Sequence, residues 1–108
     1  MHENTYLIDL PEGWLLRHIF IAGKNFTQSS IVYFPDPEWR WQLDNLEVKW
    51  EMISNRRTPN FVEFTSRLKT PEGWVVKELL TTKRVRSTEG TSCISLTYVD
   101  DKEHKWQI

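Results

Sequence analysis

The chain has 108 residues, 39% apolar and 27% charged, with a formal net charge of −1 and a pI near 6.3. That length suits one domain with a single core, and the ordinary balance excludes a disordered tail, a collagen-like repeat and a broadly basic nucleic-acid coat. No apolar run approaches a membrane span, the N-terminus lacks a basic-then-apolar signal pattern, and the lone Cys93 precludes an intramolecular disulfide, so a soluble cytoplasmic protein is expected.

The first strand is predicted over Tyr6–Leu10 and the second over Trp14–Ala22, with Pro11-Glu12-Gly13 turning the chain between them. Proline fixes one φ and glycine supplies a positive φ, the chemistry of a type I turn with a glycine bulge. Asp36-Pro37 marks the next reversal, after Tyr33 and Phe34 and before Trp39 and Trp41. Period-two alternation puts Trp39, Trp41 and Leu43 on one strand face. Val48–Ile53 reads as a strand with Val48, Trp50 and Met52 turned to the core, although Asp44–Met52 also suits a short helix. Asn55–Asn60 reads as a loop, and Phe61–Leu68, Trp74–Val85 and Ser92–Val99 as further strands. Cys93 is expected to pack as a small hydrophobe.

Two blocks recur. Pro11-Glu12-Gly13-Trp14 returns unchanged as Pro71-Glu72-Gly73-Trp74, and Tyr33–Leu43 aligns with Tyr98–Ile108 at five identical positions of eleven. Repeats over 5–43 and 65–108, joined by 44–64, follow. The expected architecture is all-β: an antiparallel barrel or sandwich of two duplicated four-stranded meanders related by a pseudo-twofold axis. The alternative is α+β with helices at 11–22 and 71–83, because Leu15, Leu16, Ile19 and Phe20 also fall at helical spacing.

Residues alike in both repeats, Trp14/Trp74 and Trp41/Trp106, are core candidates. Trp39 has His104 as its counterpart, so no common packing rule demands tryptophan there. The pair is expected at equivalent rims, forming a binding mouth near Phe34 and Tyr98. Trp39, Arg40, His104, Arg56 and Arg57 are the candidate partner contacts, with the Asn55–Pro59 loop. Lys83, Arg84 and Arg86 could add nucleic-acid contacts, although the overall pI lacks a basic footprint. His2, His18 and His104 show no metal-ligand spacing, and no nucleophile elbow or phosphate loop is present.

The Pro-Glu-Gly-Trp start and the later Trp41 resemble the opening meander of methyl-CpG-binding domains over Leu10–Leu46 and, less closely, Thr70–Ile108. Where that resemblance implies DNA-reading arginines, this chain has Ile21, Gln42, Thr81 and Gln107, so no family is assigned. The functional expectation is a non-catalytic binding protein without cofactor or metal, engaging a protein partner as inhibitor, adaptor or regulatory subunit. The alternatives are a barrel holding a small apolar ligand and a single-stranded nucleic-acid binder. No membrane contact is expected, and unpaired strand edges admit a homodimer.

Overall fold

The computed structural model describes residues 2–22, 26–41, 48–82 and 92–108. Seven antiparallel strands account for most of them: β1 (His2–Leu10), β2 (Gly13–Ala22), β3 (Phe26–Pro35), β4 (Glu51–Arg57), β5 (Phe61–Thr70), β6 (Gly73–Thr82) and β7 (Ser92–Asp100). They form a three-stranded sheet, β1-β2-β3, and a four-stranded sheet, β4-β5-β6-β7. The all-β expectation therefore holds, and the alternative helices at 11–22 and 71–83 are overturned, because Gly13–Ala22 and Gly73–Thr82 are strands. The Leu15/Ile19 spacing that suggested them belongs to strands whose two faces are both partly apolar, which gives a helical coincidence over a short window.

Three other expectations need correction. The barrel does not close, because β3 and β7 run side by side without joining into one sheet. The first sheet has three strands rather than four, since the chain after Asp36 forms a compact corner instead of a strand through Trp39 and Trp41. The fourth strand of the second sheet is β4, which runs through the predicted Asn55–Asn60 loop as far as Arg57. Thr58 then makes the turn, its hydroxyl accepting from the backbone N–H groups of Asn60 and Phe61.

Each Pro-Glu pair is a two-residue hairpin turn, with Leu10 opposite Gly13 and Thr70 opposite Gly73. The glycines open the next strand and do not need a positive φ; space is what they supply. A Cβ on Gly13 would lie 2.5 Å from the Phe34 carbonyl oxygen, and one on Gly73 would run into the Val99 carbonyl oxygen. The third strand approaches too closely for any side chain there.

An aspartate then ties off each corner. Asp36 accepts from the Trp14 indole N–H at 3.0 Å and from the backbone N–H groups of Arg40 and Trp41. Asp101 does the same for Trp74 at 2.9 Å, Lys105 and Trp106. In both corners the third residue after the aspartate, Trp39 or His104, takes a left-handed φ, 50° and 52° respectively. Such a φ is uncommon for a non-glycine residue and persists where surrounding bonds over-determine it. Those three carboxylate bonds supply that constraint. They also hold the Asp101 carboxyl at about 2, chiefly through the Trp106 N–H, then the Trp74 indole and the Lys105 N–H.

The core lies between the sheets. Trp14, Leu16 and Phe34 from the first meet Leu68 and Val75 from the second, with Trp41, Val48 and Trp50 packed alongside. A smaller cluster joins Phe20 to Leu79, Ile94 and Phe64. Met52, expected in the core with Val48 and Trp50, is instead exposed on edge strand β4, and Cys93 is exposed on β7. At Met52 a bulge shifts the β4–β5 register, which breaks the simple alternation.

Candidate functional site

Strand register fixes which residues share a face, because antiparallel partners point the same way and successive residues point opposite ways. The inner face of the first sheet carries Trp14, Leu16, His18 and Phe20 on β2, flanked by Glu3, Thr5 and Leu7 on β1 and by Val32 and Phe34 on β3. In the second sheet the inner face carries Val75, Lys77 and Leu79, flanked by Phe64, Ser66 and Leu68 and by Ile94, Leu96 and Tyr98. These are not corresponding faces. Val75, Lys77 and Leu79 match Leu15, Arg17 and Ile19, which lie on the outside of the first sheet. A pseudo-twofold axis would bury like faces against each other, so that expectation is overturned.

The consequence is an uncovered apolar surface. The outer face of the first sheet presents Ile8, Leu15 and Tyr33 in one row, Tyr6, Arg17 and Ile31 in the next, and Ile19 between Asn4 and Ser29 in a third. Ile8, Tyr33, Tyr6 and Ile31 are 42%, 45%, 51% and 48% exposed. Their counterparts at the same register in the second sheet include Leu68 at 3% and, beside it, Val75 at 0%. Scattered surface hydrophobes mean little, but a contiguous apolar face with a single central cation has the make-up of an interaction site. Arg17 sits at that centre and makes no ion pair among the described residues.

Between the sheets Glu3, Thr5, His18, Trp50 and Lys77 form one connected network. The Trp50 indole N–H donates to the Thr5 hydroxyl at 3.2 Å, and that hydroxyl lies 2.8 Å from His18 Nδ1. His18 Nε2 lies 2.9 Å from Glu3 Oε1, which also accepts from Lys77 Nζ at 3.1 Å. A neutral His18 with its proton on Nε2, accepting at Nδ1 from Thr5, satisfies every contact. Burial favours that neutral form and lowers the His18 pKa; the bond to Glu3 works against this, and the Lys77 charge adds to it. For Glu3, burial raises the pKa, but the His18 bond and the Lys77 charge together carry it below its ordinary value. Acid, imidazole and hydroxyl recur together in nucleophilic enzymes. Here Trp50 donates into the hydroxyl and His18 is 1% exposed, so the network fastens β1, β2 and β6 together.

The predicted contact residues sit elsewhere. Trp39 lies edge-on to Trp14 at 5.3 Å and donates its indole N–H to the Pro11 carbonyl. His104 lies edge-on to Trp74 at 5.4 Å, with Nε2 against the Thr70 carbonyl. A common packing rule therefore does exist at this position: a flat ring with an N–H donor seals the corner. Among the described residues no ring contact joins Trp39 to His104. Arg40 is exposed and paired with Glu38 at 3.0 Å. Arg56 and Arg57 are successive residues of β4, so they point to opposite sides of the sheet and make no joint basic patch. Lys83, Arg84 and Arg86 lie outside the described residues.

The outer face and the buried network both escaped the sequence reading, although the register that groups their residues was legible in the turn. A two-residue Pro-Glu turn sets Leu10 opposite Gly13, and counting back puts Thr5 opposite His18 and Tyr6 opposite Arg17. Among the described residues no group of His, Cys, Asp and Glu gathers as metal ligands, and no helix is long and apolar enough to cross a membrane. No family model, curated protein or solved structure matches this chain.

Proposed function

We propose that the chain is a non-catalytic protein-interaction module, made of a duplicated three-stranded unit, that binds its partner through the outer face of β1–β3. The observation that carries this is the row-by-row exposure of Tyr6, Ile8, Ile31 and Tyr33 around Arg17. Tyrosine and arginine are the residue types that concentrate binding energy at interface centres. Their placement on paired strands keeps the surface rigid, which lowers the entropy cost of docking. Duplication is supported by the matching Asp36 and Asp101 corners, with the same three donors at each.

The test is site-specific photo-crosslinking in extract from the native host. A benzophenone side chain at Ile31 is expected to give a discrete adduct, and one at Glu103, on the opposite corner, to give none. Equal adducts at both positions, or none at Ile31, would refute the module reading.

A further inference from the structure

We infer that the occupant of this face is a second copy of the chain, stacked head to tail, with the outer face of its second sheet against the outer face of β1–β3 and its Glu63 and Glu78 receiving Arg17. This rests on the interaction-module reading above and names the partner.

The geometry inside the molecule is the template. The sheets stack with their strands in the same order: β3 runs beside β7, Phe20 of β2 meets Leu79 of β6, and Glu3 of β1 reaches Lys77 of β6. One face type, with Trp14, Leu16 and Phe20, sits on the other type, with Val75, Lys77 and Leu79. An interface between unlike faces leaves one of each type turned outward; on the second sheet the Trp74 end of that face is covered by Trp106 and Arg67, while Val76, Leu80 and Glu78 keep exposed surface. The outer face of β1–β3 has the register of the second type, and the outer face of β5–β7, with Trp74, Val76, Glu78 and Leu80, has the register of the first. A contact of this kind does not close on itself, so repeating it gives an open stack.

Charge agrees with register. Inside the molecule the central ion pair is Glu3 with Lys77, at 3.1 Å. Sixty residues on from Glu3 is Glu63, and sixty before Lys77 is Arg17. Both lie on the outward faces. Where Glu3 has the neutral His18 beside it, Glu63 has Glu78. Their hydrogen bond, followed by burial and the Glu63 charge, holds the Glu78 carboxyl above its ordinary range. Arg56 faces Glu63 across the β4–β5 pairing but forms no ion pair with it. A guanidinium docked there would let both acids ionise. Pairing the β1–β3 face with its own copy about a two-fold axis would instead bring two Arg17 side chains together at the centre, a like-charge contact in a drying interface.

Sedimentation equilibrium of the full chain, from micromolar to about 1 mM, tests the inference. The expected result is a mean mass that climbs with concentration past the dimer. Arg17→Glu alone, or Glu63→Arg with Glu78→Arg, should each weaken association by at least about tenfold. An equimolar mixture of the two variants should restore it, because each then supplies the other's missing sign. All three positions are on the outer faces, and far-UV circular dichroism verifies that the variants fold. A chain that stays monomeric throughout overturns the inference, as does a dimer indifferent to the Glu63/Glu78 change, or a mixture that fails to reassociate. If the chain stays monomeric while Ile31 still crosslinks to a different protein, the head-to-tail copy is refuted and the interaction module survives.

Discussion

The two sheets carry the same corner and the same register, yet they bury opposite faces. In the first sheet Trp14, 1% exposed, sits within the central core cluster; in the second, Trp74 is also buried, at 7%, but lies outside that cluster. Trp74 is covered instead by Trp106 at 5.8 Å and by the Arg67 guanidinium, 3.9 Å from its ring centroid. Arg67 is held there by Glu51 and by the Trp106 carbonyl. A local pattern thus fixes the hairpin and its aspartate corner, while the choice of inward face depends on what the other side has to offer. In the second sheet Leu68, Val75, Leu79 and Ile94 share the inner side with one cation, Lys77, whereas the outer side mixes Trp74, Val76 and Leu80 with Glu63, Arg67, Lys69 and Glu78, so burial follows the less charged side.

The sharpest way to break this contrast is to truncate the two tryptophans. Trp14→Ala should cost about 3–5 kcal/mol, the usual range for deleting a large core side chain, and leave Asp36 buried without its indole donor. Trp74→Ala should cost less, roughly 2–3 kcal/mol, because its surroundings can collapse from the outside. It should also free the C-terminal corner, so that trypsin cleaves at Lys102 and Lys105 in the folded protein. Urea denaturation together with limited proteolysis separates the two outcomes. Equal losses, without C-terminal cleavage, would mean that both tryptophans serve one core.

A second contrast uses corresponding cations. Lys77 is buried, bonded to Glu3 and 4.5 Å from the Trp50 ring centroid, whereas Arg17 stands on the open face. Lys77→Ala should cost about 2 kcal/mol, in line with charge-assisted hydrogen bonds, and Arg17→Ala within about 0.5 kcal/mol, measured on monomer at low concentration. A large loss at Arg17 would show that its face is already covered within one chain.

Strands, turns and the central tryptophans were legible because their signals are local: a Pro-Glu turn, β-branched runs, repeated indoles. Trp39 was misplaced for the same reason. Alternation put it on a strand, but Asp36 captures the following backbone N–H groups and coils the chain into a corner, an interaction that hydropathy does not encode. The candidate surface stayed hidden because Leu15, Arg17 and Ile19 look no different in kind from Val75, Lys77 and Leu79. Only the relative placement of the sheets makes one set core and leaves the other open, and that is a tertiary fact.

Acid should act with one sign on His18, Glu3 and Asp101 and with the opposite sign on the Glu63–Glu78 pair. His18 has its pKa lowered from 6.5, foremost by burial, so the unfolded chain takes up its proton first. Its contribution to stability is complete above pH 6.5 and is lost as pH falls below that value. Glu3 and Asp101, also lowered, add losses below 4.5 and 3.8 respectively. Denaturation midpoints should therefore decline from neutral pH downward, and His18→Gln should remove the first step while leaving the later ones. A wild-type midpoint that is flat between about pH 7 and 5 would show that His18 is not held neutral in the fold.

The smallest effect belongs to the outer face of the second sheet. Glu78 is raised above 4.5 by its hydrogen bond to Glu63, then by burial and the neighbouring charge. A raised acid stabilises the fold below its unfolded pKa and loses that contribution as pH climbs through the folded value, the reverse of His18. At neutral pH the pair is a like-charge contact between strands, so Glu78→Gln should stabilise the monomer by roughly 0.2–1 kcal/mol. The gain should vanish at low pH, where both carboxyls are protonated in either chain. A loss on substitution at neutral pH would mean that Glu78 already has a cation within the molecule, and it would remove the charge mismatch that a docked Arg17 is proposed to relieve.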